Sequence, residues 1–391
     1  MPDRHVELSG QIERAPTMKP AGLNIKLIEK TGIALVTIAL SYNIYASWAL
    51  YSSAPLSDPA SYPVIAKASH YFYDSGMREP VPVFLTKALL ALGAGDQAAV
   101  RLATVIVFAA SVLLLLFFAD RAHGLLAGLT SAMLFAVNPY AGYYSVQGVS
   151  NLTSGLFLMI FCFGLAGKDM SGRNAVFLGV AGGLCMLSRL ENILIVLAAL
   201  GIGAVLDLSK RRARFSAFVF AVAIFLTLPY LAHQYREYGN PVYSHAMAAR
   251  FWQNTEKSGP LSGDRYSGGP MSISSFVLRA GPAAAAGNLL KAYAGDIFHY
   301  IPRLLHYKIL MLALFSGMFF LFKKKDYFAL LLLPVLMLPV SFISSIDQVS
   351  AGSGIELRFY LNALWLVCVY CGMGLSGAVS LITKRNRLQK T

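Results

Sequence analysis

The sequence predicts an all-α membrane protein that crosses the bilayer many times. The chain of 391 residues is 56% hydrophobic and only 13% charged, with a mean hydropathy of +0.58, whereas about a quarter of the residues of a soluble domain are charged. Several apolar runs approach or reach the roughly 20 residues that a helix needs to cross the hydrocarbon core. These runs are continuous and do not alternate with polar residues, which favours helices over the strands of a β-barrel.

About ten such spans are expected, packed as one helical bundle. Two of the runs, 124–137 and 175–187, are short for a hydrocarbon core of roughly 30 Å and must borrow flanking residues or cross where the bundle is thin. The predicted spans are 31–50, 102–119, 124–137, 152–166, 175–187, 192–208, 215–231, 307–322, 327–346 and 359–382.

The basic residues indicate how the bundle is oriented. The formal net charge is +14, but the bases lie mostly in loops between apolar runs, where they set topology and contact anionic lipids and do not indicate nucleic acid. The clusters 210–214 and 323–325 fall on the same side as both termini, whereas the opposite short loops 138–150 and 347–357 contain no Lys or Arg. Because cytoplasmic loops carry the excess of bases, we expect both termini in the cytoplasm.

This orientation divides the chain into three parts. A transmembrane domain, 31–382, lies between two cytoplasmic tails, 1–30 and 383–391. Within this domain the outer loop 51–98 and the outer segment 232–306 face away from the cytoplasm. Surface-lying helices are expected at 61–73 and 83–92, separated by Gly76 and the Pro80/Pro82 region, and in the amphipathic run 272–306.

The first outer loop concentrates polar residues directly after the first span. Between Asp58 and Lys87 it carries three acids, three bases, one histidine and several tyrosines. Asp58 lies in a turn next to Pro59, and a carboxylate that is partly shielded from water at a membrane surface can accept a proton from an attacking hydroxyl. The competing interpretation is that Asp58 only caps the following helix, since Asp is a favoured N-cap residue.

Arginines at the predicted outer helix ends form a second set of candidates. Their planar fork suits phosphate because it donates two parallel hydrogen bonds. Arg189 is followed by Glu191, and Arg358 precedes the last span; for both, interfacial anchoring is the alternative. Arg78 and Glu79 can likewise be a solvated pair of little energetic weight.

The remaining polar residues match no recognisable motif. The histidines lack the spacing of a compact metal motif such as H-E-x-x-H and are more typical of interfacial positions. All four cysteines, including the C-x-x-C pair Cys368 and Cys371, lie in apolar runs and predict core positions. The glycosylation sequon at Asn151 begins a span and is discounted. No glycine-rich phosphate loop or other nucleotide-binding signature is present.

Three short motifs follow one another on the outer face in the order of a known family. Asp58 and Tyr62 form D-x-x-x-Y, residues 78–82 read R-E-P-V-P, and 356–361 read E-L-R-F-Y-L, while 238–252 is similar to the opening of a long outer loop. The set resembles the GT-C glycosyltransferases, especially bacterial relatives of the dolichyl-phosphate-mannose protein mannosyltransferases and of the lipid A aminoarabinose transferase. The chain departs from the family's D-E-x-x-Y at Pro59, and from its E-x-R-Y element at Phe359.

The resemblance implies an inverting glycosyltransferase of the bacterial inner membrane. It implies transfer from a polyprenyl-phosphate sugar to an acceptor on the outer face, with Asp58 as the general base and Arg358 at the lipid phosphate. The acceptor (protein, lipid or glycan) stays open, as does a divalent metal. Taken together, these observations predict catalytic roles for Asp58 and Glu79, and substrate binding by Tyr62, Arg78, Lys87, Arg189 and Arg358.

A transporter or flippase for a lipid or a small anion is the alternative of a different class. Transporters place functional charges at the membrane midplane, often in inverted repeats with broken helices. Here the charges cluster at one predicted face and no internal repeat is evident, which favours the enzyme.

Overall fold

The computed structural model describes residues 25–56, 61–76, 78–242, 281–346 and 357–388, and the regular structure within these ranges is all helical. The all-α prediction is confirmed for this part of the chain. The elements are α1 (Ile25–Tyr51), α2 (Tyr62–Ala68), α3 (Pro80–Ala91), α4 (Asp96–His123), α5 (Leu125–Ala136), α6 (Pro139–Val146), α7 (Ser150–Ala166), α8 (Gly172–Ser188), α9 (Asn192–Leu206), α10 (Lys210–Tyr238), α11 (Pro282–Gly295), a π-helical turn (Asp296–Tyr300), α12 (Ile301–Leu304), α13 (Leu310–Lys323), α14 (Tyr327–Ile346), a 3₁₀ turn (Leu357–Tyr360) and α15 (Leu361–Leu388).

Every predicted span coincides with a helix, but only some of these helices are long and apolar enough to cross a membrane. Within the described ranges five helices meet them, or six if the bent pair α5 and α6 is one span. Helices α7 and α9, with 17 and 15 residues, reach only about 22–26 Å at 1.5 Å per residue. About ten spans therefore remain a prediction. The candidates are Lys26–Tyr51, Asp96–His123, Lys210–Tyr238, Tyr327–Ser345 and Leu357–Ile382.

The helix ends differ from the expected boundaries in several places. Helix α1 already begins at Ile25 and α15 continues to Leu388, so the limits at 30 and 383 fall inside helices. The expectation that the Pro80/Pro82 region separates helices is wrong, because both prolines lie in the first turn of α3, where no backbone N–H is needed. The expected helix 61–73 ends early, at Ala68.

The predicted loop 138–150 also contains a helix. Helix α6 follows α5 at an angle of 54°, and the bend lies at Asn138. The side-chain oxygen of Asn138 accepts a hydrogen bond from the backbone N–H of Ala141 at 2.9 Å, and its amide donates to the carbonyl of Leu304 at 2.8 Å. One asparagine thus caps α6 and ties it to the end of α12.

Helix α15 is the centre of the bundle and packs against α5, α7 and α13. Its contact with α13 is made backbone to backbone. A Cβ atom added to Gly317 would lie 1.9 Å from the carbonyl oxygen of Tyr370, and one added to Gly374 would lie 2.1 Å from that of Ala313. Small residues allow such close approach between helices.

A buried arginine anchors the chain just before the Asp58 segment. Arg101 of α4 is 1% exposed. Its guanidinium donates to the carbonyl oxygens of Tyr51 at 3.3 Å and Val146 at 2.7 Å, and also to that of Ala54. The carbonyls at the end of a helix lack intrahelical partners, so Arg101 satisfies the end of α1 and joins it to the end of α6.

Candidate active site

Arg189 organises a cluster of charged and polar side chains where α7, α8 and α9 meet. It follows α8, and its Nε donates to the carboxylate of Glu191, just before α9. Its Nη1 donates to Ser150 Oγ at 3.0 Å and to Asn151 Oδ1 at 3.3 Å, at the start of α7. Only 15% of the Arg189 side chain and 20% of the Glu191 side chain are exposed. The pair is therefore largely removed from water.

Glu79 is a second acid of this cluster and lies at the start of α3. Its side chain makes no capping hydrogen bond, so the carboxylate is not used to end the helix. Burial raises the pKa of Glu79 above its usual 4.5, and the positive charge of Arg189 opposes that rise. Burial alone would lower the pKa of Arg189, but the carboxylates of Glu191 and Glu79 hold it above its ordinary value. One permanently charged arginine thus faces two carboxylates.

The segment before Glu79 is held in place by α10. Tyr73 Oη donates to the carbonyl of Leu226 at 2.9 Å, Tyr230 Oη donates to that of Arg78 at 3.0 Å, and Gln234 Nε2 donates to that of Gly76 at 2.6 Å. These bonds span about 150 positions of sequence. They bind the segment before Glu79 to α10, which packs against α8, the helix that Arg189 follows.

Tyr62 and Arg78 adjoin this cluster. Tyr62 is 3% exposed and packs in an apolar group with Ala66 and Val83. The guanidinium carbon of Arg78 lies 5.8 Å from the centre of the Tyr62 ring, within the range of a cation–π contact. Tyr62 is also close enough to Arg189 to raise its pKa slightly.

Arg358 approaches the cluster from the last helix. It lies in the 3₁₀ turn that precedes α15, and its guanidinium carbon is 5.2 Å from the ring centre of Phe359. The guanidinium carbon of Arg189 is 5.6 Å from the same ring. The inserted Phe359, which departs from the family motif, therefore contacts both arginines.

The structure brings together most of the predicted site residues that lie in its described ranges. Glu79 lies near enough to Arg189 for each charge to shift the pKa of the other group. Arg78 contacts Tyr62, and Arg358 and Arg189 both lie near the Phe359 ring. Lys87 contacts other residues, because its ammonium donates to the carbonyl of Ser69 and lies 5.2 Å from the ring centre of Phe84. Asp58 lies outside the described residues.

Sequence reasoning missed several members of the site. Glu191 was considered only as a neighbour of Arg189, and Asn151 only as a discounted sequon, although both bond Arg189. The position of Ser150 and Asn151 at the start of a predicted span was the available signal. Among the described residues, no group of three or more His, Cys, Asp or Glu side chains is placed to hold a metal ion.

A protein-family model matches part of the chain. The family model described as dolichyl-phosphate-mannose-protein mannosyltransferase matches residues 77–233, which include Arg78, Glu79, Arg189 and Glu191. A search of curated proteins gave no match.

The fold is similar to that of the Archaeoglobus fulgidus oligosaccharyltransferase. Its apo crystal structure superposes with a TM-score of 0.59 at 16% identity, covering 92% of this chain and 52% of that one. Its complex with Zn and sulfate gives a TM-score of 0.53 at 16% identity, with 89% and 50% covered. The chain thus spans about half the length of that enzyme, and at this identity the likeness concerns the fold. Both findings lie within the GT-C superfamily of membrane glycosyltransferases, and the predicted resemblance of this chain to that superfamily is confirmed.

Proposed function

We propose that the chain transfers a sugar from a polyprenyl-phosphate donor to an acceptor at the outer face of the inner membrane, with inversion at the anomeric carbon. In this proposal the bundle has about ten spans with both termini in the cytoplasm, and the outer loop 51–98 and outer segment 232–306 carry the site. The donor lipid lies among the helices, and its phosphate reaches the outer helix ends.

The convergence of Arg189, Arg358 and Glu79 is the observation that carries this proposal. These residues come from three distant parts of the chain, yet the guanidinium groups of Arg189 and Arg358 lie 5.6 and 5.2 Å from the centre of the same Phe359 ring. Two guanidinium groups at one site suit a lipid phosphate, because arginine recognises phosphate through paired, charge-assisted hydrogen bonds. The resemblance assigns Arg358 the main contact with the phosphate, and Arg189, which engages Glu191, supplies a supporting charge.

The chemistry requires one base and one stabilised leaving group. Asp58 accepts the proton of the acceptor hydroxyl while the acceptor oxygen forms its bond to the anomeric carbon. The bond between that carbon and the phosphate oxygen breaks, and its electron pair leaves with the lipid phosphate. Arg358 offsets the charge that develops there. Asp58 then releases its proton to water, and no covalent enzyme intermediate is formed.

Glu79 is assigned to the acceptor side of the site. Because its pKa is raised by burial, it exchanges between charged and neutral forms closer to neutral pH than an exposed glutamate. It therefore can accept a hydrogen bond from the acceptor or, when protonated, donate one. Arg78 and Tyr62 contact each other and line the surface next to Glu79. Lys87, further along α3, adds a positive charge.

The test is a transfer assay with defined donors. Purified protein in lipid nanodiscs is incubated with polyprenyl phosphates that carry radiolabelled hexose or pentose, together with an envelope extract from cells that lack the gene. We expect equal amounts of free lipid phosphate and labelled product. Asp58→Asn should lower the rate by about a hundredfold or more, the usual contribution of general acid–base catalysis.

Asp74→Asn is the matched control, because Asp74 lies in the same loop but only accepts a local hydrogen bond from the backbone N–H of His70 at 3.1 Å. Its rate should stay near that of the wild type. Translocation of the labelled lipid across a vesicle without release of lipid phosphate would replace the proposal by a flippase. Near-normal transfer by Asp58→Asn would remove Asp58 as the base.

A further inference from the structure

A buried carboxylate lies outside the cluster described above, between the outer segment and the last two helices. Asp296 is 1% exposed and accepts three hydrogen bonds. The hydroxyls of Ser341 and Ser344 in α14 donate at 2.5 and 3.0 Å, and that of Tyr360 donates at 2.5 Å. One side chain thus joins three elements that are far apart in sequence.

Asp296 begins a π-helical turn, an uncommon conformation. The turn covers Asp296–Tyr300, and the backbone N–H of Ile301 donates to the carbonyl of Asp296, five residues earlier. Such turns are rare and occur often at functional sites. Here the turn also places the Tyr300 ring in a stacked contact with Tyr360, with ring centres 5.0 Å apart and planes 15° apart.

No cation compensates for this burial in the part of the chain that the structure describes, where Asp296 forms no ion pair. Burial raises the pKa of Asp296, and the hydroxyl hydrogen bonds lower it again. Placing a carboxylate among hydroxyl groups in the interior costs free energy compared with an apolar side chain. In return, such a carboxylate defines the local geometry, because all three hydroxyl groups must point at the same side chain.

Tyr360 links Asp296 to the candidate active site. It is the last residue of the 3₁₀ turn Leu357–Tyr360, and it is fully buried. Arg358 and Phe359 lie in the same four-residue turn. Asp296 holds the Tyr360 hydroxyl, and Tyr300 holds the Tyr360 ring. Together they fix the backbone of the turn that presents Arg358 and the Phe359 ring to Arg189.

We propose that Asp296 is a positioning residue, which acts through Tyr360 to hold Arg358 in the orientation that receives the donor phosphate. The role depends on the proposed function, because it assigns the phosphate to Arg358. Through this role, Asp296 connects the outer segment to the phosphate end of the site. A substitution at Asp296 would therefore alter donor binding although Asp296 itself does not contact the donor.

The test compares a phosphate ligand with its phosphate-free counterpart. Binding of farnesyl phosphate and of farnesol to the purified protein in detergent is measured for the wild type and for Asp296→Asn, Tyr360→Phe and Arg358→Ala. We expect Asp296→Asn and Tyr360→Phe each to weaken farnesyl phosphate about five- to tenfold, the effect of roughly one hydrogen bond. Farnesol binding should not change.

Two further variants separate positioning from general stability. Tyr293→Phe removes another hydroxyl between the outer segment and α14, which donates to the carbonyl of Pro334 at 2.9 Å, and it should leave both ligands unaffected. In the double variant Asp296→Asn/Arg358→Ala, binding should be no weaker than in Arg358→Ala alone, because residues that act as a unit are not additive.

The outcomes that overturn the inference differ from those that overturn the proposed function. Equal losses for farnesyl phosphate and farnesol, or additive losses in the double variant, would make Asp296 a residue of structural stability alone. If Asp296→Asn fails to fold, Tyr360→Phe decides by the same criteria. If the wild type itself does not prefer farnesyl phosphate to farnesol, the phosphate site of the proposed function is refuted and the positioning role with it.

Discussion

Replacing Arg189 by alanine should destabilise the protein strongly, because it leaves the largely buried carboxylate of Glu191 without its ion-pair partner. Removing one partner of a buried ion pair typically costs about 3–5 kcal/mol. Here 15% and 20% of the two side chains remain exposed, which places the expected loss near the lower limit, at about 3 kcal/mol. The lost hydrogen bonds to Ser150 and Asn151, at 3.0 and 3.3 Å, are part of that figure.

The pH dependence of this loss has a defined sign. Without Arg189, the folded-state pKa of Glu79 rises further above its usual 4.5, because the arginine opposes the effect of burial. An acid whose pKa is raised on folding takes up a proton in the folded state first, so stability falls as pH rises from about 4.5 through the folded-state pKa. The deficit of Arg189→Ala should therefore be smaller at pH 5 than at pH 8.

The assay is thermal unfolding of the purified protein in detergent, followed by intrinsic fluorescence at several pH values. Arg189→Lys should lose about 1 kcal/mol, because it keeps the charge but not the forked geometry. Lys67→Ala is the matched control: its ion pair with Asp96, at 2.6 Å, has side chains 57% and 52% exposed, and such pairs contribute about 1 kcal/mol or less. A loss for Arg189→Ala no larger than for Lys67→Ala, or one that grows at acid pH, would refute the reasoning.

Three further predictions concern other parts of the structure. Because burial raises the pKa of Glu79, its own contribution to stability should fall as pH rises above about 4.5; in the same unfolding assay, the difference in stability between the wild type and Glu79→Gln should change with pH in that direction. Gly317→Ala should destabilise the protein by about 1–3 kcal/mol, because the added Cβ would meet the Tyr370 carbonyl. Gly201→Ala is its control: a Cβ added there meets no atom within 4 Å, so this change should stabilise α9 by about 0.5–1 kcal/mol. The unfolding midpoints of the two variants should therefore move in opposite directions. Arg101→Met should cost about 1–3 kcal/mol for each buried carbonyl left unpaired, lower the yield of folded protein and loosen the chain before Asp58, measured as faster proteolysis there.

Much of the helical architecture could be predicted from the apolar runs, but the helix ends could not. Helices α8 and α10 begin before their predicted spans because serines cap them: Ser171 Oγ accepts from Asn174 N at 3.2 Å, and Ser209 Oγ accepts from Arg212 N at 3.1 Å. Both serines lie among the polar residues that flank the apolar runs, so a prediction based on apolar runs alone does not include them. The proline pair of α3 was misjudged for a related reason, since prolines end a helix in its interior but begin one in its first turn.

The candidate site was predictable where charge and motif coincided at a helix end. Arg189, Arg358 and Glu79 were found in this way, and their convergence could be expected once all three were assigned to one face. Asp296 could not be found, because its partners lie 45, 48 and 64 residues away and no local pattern marks them. The contact of Phe359 with both arginines was equally hidden, since in the sequence it reads only as an insertion into a motif.

The location of the donor phosphate tests the central claim most directly. A cryo-electron microscopy structure of the protein with a polyprenyl phosphate bound in nanodiscs would show it. The proposal predicts the phosphate within hydrogen-bond distance of Arg358, beside Phe359 and Arg189, with the Asp58 carboxylate facing the position of the sugar. A phosphate bound at the opposite end of the bundle, or one from which Asp58 is separated by the helices, would contradict it.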